Sequence, residues 1–313
     1  MQFWHYLATR LVQAFIVVMF VVTIVFFVSR TIGNPEVFLV PTMSASQEDI
    51  DRIREHLGLD KPMIVQYGNF LLDMAQGDLG ISFRGGGGKQ AITLIGERAI
   101  NTVKLGVAGL VFAVVLAVPM GVIAALRRGT AIDWLTRFLA VIGQATPSFW
   151  LGLMMIFFFA VELGWLPTGG AKEGFKSLIM PAIALGLFEL VAIMRLTRSG
   201  MIDVMDTDFI RTARAKGLNE RVVIFRHAIR HALLPVITML GLSLGRLIGG
   251  SVIIEMVFAW PGVGRLLVTA ILEDDFPVVQ AGIIVFAISI AVANLLVDVT
   301  YRMIDPRIRA GAA

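Results

Sequence analysis

Residues 209–237 read "FIRTARAKGLNERVVIFRHAIRHALLPVI", the longest strongly charged passage in an otherwise apolar chain. Eight Lys and Arg fall between Arg195 and Arg230. "FIRTARAK" has the length of two helical turns, Asp206 to Asp208 offer N-cap residues, and Gly217 suits a left-handed stop. Asn219 can cap a second helix, in which Val222, Phe225, Ile229 and Leu233 recur at spacings of three and four. Arg221, Arg226 and Arg230 lie mostly off that face. The pattern predicts an amphipathic helix along the inner membrane surface, with the first helix held off the membrane as a short knob. Pro235 then marks the start of a new apolar segment. A solvated loop of positive charge is the plainer alternative. Positive charge alone does not require two capped helices, whereas a docking surface for a cytoplasmic partner explains them.

The rest of the chain is built for lipid. Of 313 residues, 57% are hydrophobic and only 16% charged, with a mean hydropathy of +0.81. Soluble domains carry roughly 25% charged residues. The net charge of +4 is spread over loops without interleaved exposed aromatics, which argues against nucleic-acid binding. With no cysteine there is no disulfide, thiolate metal site or cysteine nucleophile.

Six stretches meet the need for about 20 apolar residues per helical span. Residues 11–29, 105–126, 138–161 and 276–297 lack Asp, Glu, Lys and Arg; 177–194 contain only Glu189, and 232–254 only Arg246. The first run is too long for a signal peptide and no small-x-small cleavage site follows closely, so it is read as an uncleaved helix. With the N-terminus inside, segments 1–10, 127–137, 195–231 and 298–313 hold one, three, eight and three basic residues. The short outer segments 162–176 and 255–275 hold two and one. This asymmetry places both termini in the cytoplasm. The expected fold is an all-α integral membrane protein with six transmembrane helices. It divides into 1–30 (start and first helix), 31–98 (outer segment) and 99–313 (five-helix core with cytoplasmic loop 195–231).

In the outer segment, Ser46 and Asp49 form a capping-box pattern ahead of Ile50, Ile53 and Leu57, with Gly58 as the stop. Pro62 opens a second helix reaching about Met74. "GGGGKQ" at 85–90 lacks the Ser or Thr a phosphate loop needs after lysine, and reads as a flexible linker.

Catalytic equipment is not evident. "GLSLG" around Ser243 matches a nucleophile-elbow pattern, but no histidine falls within a span to serve as its base. Small residues on a helix-packing face explain it better. His227 and His231 stand four apart, yet Ala228 replaces the glutamate of a zinc helix and no third ligand is near. No cofactor or metal is expected on this chain. Arg246 interrupts the fifth span: it either snorkels to the outer headgroups or pairs with a partner, or else it faces a translocation path beside Ser243 and attracts an anionic group.

Taken together, "GNP" (33–35), "GLDKP" (58–62), "QGDLGISF" (76–83), "ATPSFWLGLMMI" (145–156), "DFIRTARAKGL" (208–218), "RHAIRHALLPVIT" (226–238), "GGSVIIEMVFAWPGVGRLL" (249–267) and "NLLVDVTYRMIDPRIR" (294–309) resemble a known family. It is the permease subunits of bacterial ATP-binding-cassette importers, in the dipeptide, oligopeptide and nickel branch. The likeness covers nearly the whole chain. It implies a multi-pass inner-membrane protein, half of a translocation path for a peptide or peptide-like solute. It also implies a second homologous permease (a heterodimer), an external binding protein, and two cytoplasmic ATPase subunits that carry ATP and Mg. Residues 208–222 would contain the coupling helix: Asp208, Phe209, Ile210, Arg211, Thr212, Ala213, Arg214, Ala215, Lys216, Gly217 and Leu218 would dock on the ATPase. Arg211-Thr212-Ala213 stands where the general importer pattern has Glu-Ala-Ala, with Gly217 in the place of its glycine. A secondary transporter or channel is the alternative, but no internal repeat supports it; an intramembrane hydrolase would lack its base.

Overall fold

Thr146 and Pro147 divide what hydropathy presents as one span. Proline disfavours helical backbone in the residue before it, and Thr146 is extended at ψ 119. In the computed structural model, Ala131–Ala145 and Ser148–Glu162 therefore meet at 99°. The expectation of one continuous helix over 138–161 is corrected accordingly. The second leg relaxes into a π-helix over Ile156–Glu162.

The structure describes residues 2–32, 60–84 and 88–304. Among these, the only strand-like feature is an antiparallel bridge between Ile81 and Gln90. The helices, in order, are α1 (Gln2–Ile32), α2 (Met63–Ala75), α3 (Ala91–Leu126), α4 (Ala131–Ala145) and α5 (Ser148–Glu162). There follow α6 (Phe175–Met205), α7 (Asp208–Ala215), α8 (Glu220–Ala232), α9 (Leu234–Val257), α10 (Val263–Leu272) and α11 (Phe276–Ile304). Four of them, α1, α3, α6 and α11, contain a run long and apolar enough to cross a membrane. The bent pairs α4–α5 and α8–α9 raise the number of candidate spans to as many as six. The capping-box helix expected at 46–57 lies outside the described residues, as do 85–87 of the glycine run. α2 begins after Pro62 as expected. α10 is an apolar helix inside a segment read as a loop.

The chain forms two compact units, a division different from the sequence segments 1–30, 31–98 and 99–313. The first comprises 1–101 and 261–295. Its core joins Val22 of α1, Ile95 of α3, Leu267 of α10 and Ile284 of α11. Phe26 stacks on Phe70 at 5.3 Å, and the Thr23 and Tyr67 hydroxyls lie 2.7 Å apart, which docks α2 on α1. The outer surface of α1, including Leu11, Phe15 and Phe20, stays exposed, as lipid contact requires. Asp275 accepts from Ser82 Oγ and from the Phe83 amide, so a buried carboxylate ties the turn at 80–84 to the start of α11.

The second unit comprises 102–260 and 296–313. Glycines set its helix spacing. A Cβ on Gly186 of α6 would lie 2.4 Å from the Gly109 carbonyl oxygen of α3, and one on Gly121 would lie 2.7 Å from that of Met194. In lipid, where hydrophobic exclusion does not drive helices together, such close backbone approach supplies the packing. Two apolar clusters fill the spaces between helices, one around Leu105, Met180 and Phe258 and one around Ala117, Ile193 and Val236.

Candidate functional site

The charged passage folds as two helices joined by a sharp turn. Thr207, extended at ψ 155, stands at the N-cap of α7, and its hydroxyl donates back to the Val204 carbonyl. At the other end Gly217 adopts φ +75. Its amide donates to Arg214 O at 2.9 Å, while the Leu218 amide reaches Ala213 O at 3.4 Å. Those paired bonds make a Schellman stop, in which glycine is favoured because it carries no Cβ. Asn219 then caps α8, its side-chain oxygen accepting from the Arg221 amide at 3.0 Å. Arg214 grips Glu220 through Nη2 at 2.7 Å and Nε at 3.2 Å, strapping one helix to the next. Hydrogen bonding to this guanidinium lowers the Glu220 pKa, and the carboxylate raises that of Arg214. A depressed carboxylate pKa stabilises the turn above the ordinary Glu range, and the benefit disappears as pH falls through the depressed value. Both side chains are about half exposed, so the strap orients the turn more than it stabilises it.

α7 is packed along one side. Ile210 and Ala213 are buried against Val122 of α3, Met201 of α6, and Val223, Ile224, Ala228 and Ala232 of α8. A Cβ on Gly200 would sit 2.7 Å from the Ala232 carbonyl, so α6 and α8 also touch closely here. Within the fold α8 buries Val223, Ile224, Ala228 and Ala232, while of the apolar residues at helical spacing Ile229 packs on the same cluster and Val222 and Phe225 point outward. Val222 and Phe225 are exposed, the latter by 69%. Two physical causes act together. A π-helix over Val223–Ala228 widens the repeat, and the small Ala228 and Ala232 let α6 approach where larger residues would hold it off.

Opposite the buried side, Asp208, Arg211, Thr212, Arg214, Ala215, Lys216 and Gly217 face outward. Phe209, Leu218, Val222 and Phe225 are exposed apolar residues of the same passage. Phe209 packs its ring 5.0 Å from that of His231. The result is a rigidly backed surface with mixed basic and apolar character. Among the described residues no three His, Asp or Glu side chains gather as a metal site.

Two buried carboxylates have partners that the sequence does not show. Ser243 Oγ on α9 lies 2.5 Å from Glu189 Oε2 on α6, and both residues are buried. Its oxygen is also 3.0 Å from the Met239 carbonyl. The serine candidate thus has a carboxylate within reach, and that contact joins the helices on either side of the charged passage. Glu255, expected at the start of an outer loop, is instead fully buried in α9. It accepts from Thr102 Oγ1 at 2.8 Å and Ser251 Oγ at 3.0 Å. An ionisable group at such depth is tolerated when hydrogen-bonded in this way. The Arg246 side chain lies outside the described ones. No spacing in the sequence announces either contact, because the partners are 54 and 153 residues apart.

Comparison with known proteins supplies the context. Residues 117–310 match the family described as the binding-protein-dependent transport system inner membrane component, and residues 3–84 its N-terminal companion. A dipeptide transport system permease of Alkalihalophilus pseudofirmus is 38% identical, the alignment covering 88% of this chain and 90% of that one. An oligopeptide transport system permease of Bacillus subtilis is 37% identical over 97% of this chain and 98% of its own. A glutathione transport system permease of Escherichia coli is 39% identical, with 97% and 99% covered. The fold is shared with a methionine ABC transporter solved in inward-facing form, at TM-score 0.56 and 18% identity, over 68% of this chain and 97% of that one. A multi-pass helical chain whose charged passage is capped, turned and backed by α3 and α6 is thus matched along its length: the protein belongs to the binding-protein-dependent transport inner-membrane family and is a permease subunit of an ABC importer.

Proposed function

We propose that this permease forms half of a path for a peptide or peptide-like solute, paired with a second, homologous permease. A binding protein delivers the solute from outside. Two ATPase subunits, holding ATP and Mg, dock from the cytoplasm on residues 208–218. The observation that carries this reading is the construction of α7. Its Ile210 and Ala213 are locked into the membrane helices while Asp208, Arg211 and Lys216 face outward. A push on the exposed face is thereby passed to α6 and α8 rather than absorbed in a loose loop. The named relatives' dipeptides, oligopeptides and glutathione share an amide backbone and a free carboxylate, which supports this solute class. Within this reading, Arg246 is the position to test for recognising that carboxylate, and Ser243 holds its helix to Glu189.

The test is reconstitution with the partner subunits in liposomes. Peptide-loaded binding protein should raise ATP hydrolysis severalfold and drive peptide inward. Stimulation only by binding protein loaded with a non-peptidic solute would overturn the solute class.

The arrangement also requires six spans, with both termini and the charged passage inside. Ile64 of α2 is 83% exposed and Thr212 of α7 is exposed. Cysteines introduced at the two positions should label from opposite sides of the membrane, Ile64→Cys from outside. Same-side labelling would remove the docking surface from the cytoplasm.

A further inference from the structure

α4 and α6 meet over a cavity of about 220 Å³ lined by Arg137, Arg195 and Arg198, together with Ala124, Ala140 and Met194. Two of these guanidiniums, of Arg198 and Arg137, share the carboxylate of Asp133. Arg198 engages Asp133 through two bonds, Nε to Oδ1 at 2.6 Å and Nη2 to Oδ2 at 3.0 Å. Asp133, 1% exposed, also accepts the Gly129 amide at 3.0 Å. Arg137 reaches this carboxylate only at 3.5 Å, with its side chain 57% exposed. Arg195 has no acidic partner among the described residues. The cluster therefore keeps an excess of positive charge at the rim of an apolar-walled cavity, carried by the exposed Arg137 and Arg195, where an anion can reach it.

The neighbouring surface of α4 says which kind of anion. Trp134 and Phe138 stack at 5.2 Å with planes 8° apart. They and Val141 are 60%, 46% and 68% exposed. The three form one stripe at helical spacing, and Arg137 follows Trp134 by three residues and precedes Val141 by four. An aromatic pair beside arginines is what the boundary between headgroups and acyl chains selects. Basic pockets between helices on the cytoplasmic side suit anionic headgroups.

We propose that Arg137 and Arg195, at the rim of this cavity, bind the phosphate of an anionic phospholipid of the inner leaflet, with an acyl chain lying along Trp134, Phe138 and Val141. The leaflet rests on the inward placement of 127–137 and 195–231 given above; the headgroup chemistry does not.

The experiment is native mass spectrometry of the purified full chain with equal amounts of phosphatidylglycerol and phosphatidylcholine. The chain should retain phosphatidylglycerol preferentially. Arg137→Gln combined with Arg195→Gln should weaken that retention roughly twenty-five-fold, at about fivefold for each basic side chain near an anionic surface. Arg198 is left in place so that its bond to Asp133 survives. Val141→Glu, at an exposed position on the stripe that carries the acyl chain, provides a second variant that should also lose the lipid. Equal retention of phosphatidylcholine, or unchanged phosphatidylglycerol binding in both variants, would overturn the proposal. Displacement by inorganic phosphate would overturn it in favour of a free-anion site. Labelling of Thr130→Cys from outside, with lipid selectivity intact, would instead refute the orientation and leave the headgroup site standing in the outer leaflet.

Discussion

Ile210→Ala is expected to uncouple the transporter. Ile210 is fully buried where α7 meets α3, α6 and α8, and truncating a core isoleucine costs about 2–5 kcal/mol. α7 is only eight residues long and Ala213 is its other buried residue, so the loss falls on its seating. Membrane insertion should be unaffected, because the apolar spans are untouched. In reconstituted transporter, peptide-stimulated ATP hydrolysis and uptake should fall at least tenfold while the chain is still recovered in the membrane. Gly217→Val attacks the same element from its far end. No neighbour lies within 4 Å of a Cβ there, so the penalty is the φ of +75 alone, about 1 kcal/mol or more for a branched residue. That variant should be impaired less than Ile210→Ala. Arg211→Ala, on the exposed face, tests contact rather than seating: it should weaken ATPase binding without altering the chain's own stability. Full activity of Ile210→Ala would mean that α7 does not transmit force through its packing.

Much of this architecture is legible because lipid simplifies the code. Long runs of Val, Ile and Leu have no other stable home than a span, and α1, α3, α6 and α11 appear where hydropathy puts them. Thr207, Gly217 and Asn219 mark the ends of α7 and the start of α8 through local backbone chemistry, which needs no tertiary partner. What hydropathy averages over, it loses. A window across 138–161 averages as strongly apolar, yet Pro147 turns the chain within it. An α-helical spacing marks the apolar face of α8 but not the residues it packs inward, because Val223–Ala228 follow a wider repeat. The pairings of Glu189 with Ser243 and of Glu255 with Thr102 are tertiary facts; a carboxylate in an apolar run signals that a partner exists without saying where.

Gly186→Val should prevent the second unit from assembling. At this crossing α3 and α6 pack backbone to backbone: a Cβ on Gly186 would lie 2.4 Å from the Gly109 carbonyl oxygen and 3.0 Å from Phe112 Cδ1. The first of these contacts is with a carbonyl inside a helix, which cannot swing aside as a side-chain tip would. Relief requires the helices to separate by more than an ångström, and a shift of that size also disturbs Gly121 against Met194 and Thr197 on the same pair. Overpacking typically costs 1–3 kcal/mol and sometimes more, and two linked crossings put this variant at about 3 kcal/mol or above. Gly186→Ala already places the offending Cβ and should be nearly as damaging, which separates close approach from mere bulk. Gly249 of α9 is the matched control: it is exposed and nothing lies within 4 Å of its Cβ position. Gly249→Ala should be neutral or slightly stabilising, since alanine favours helix over glycine by about 1 kcal/mol. Thermal unfolding of detergent-solubilised chain, followed by size-exclusion recovery, distinguishes the two. Normal recovery of Gly186→Val would show that α3 and α6 are not held together at this crossing.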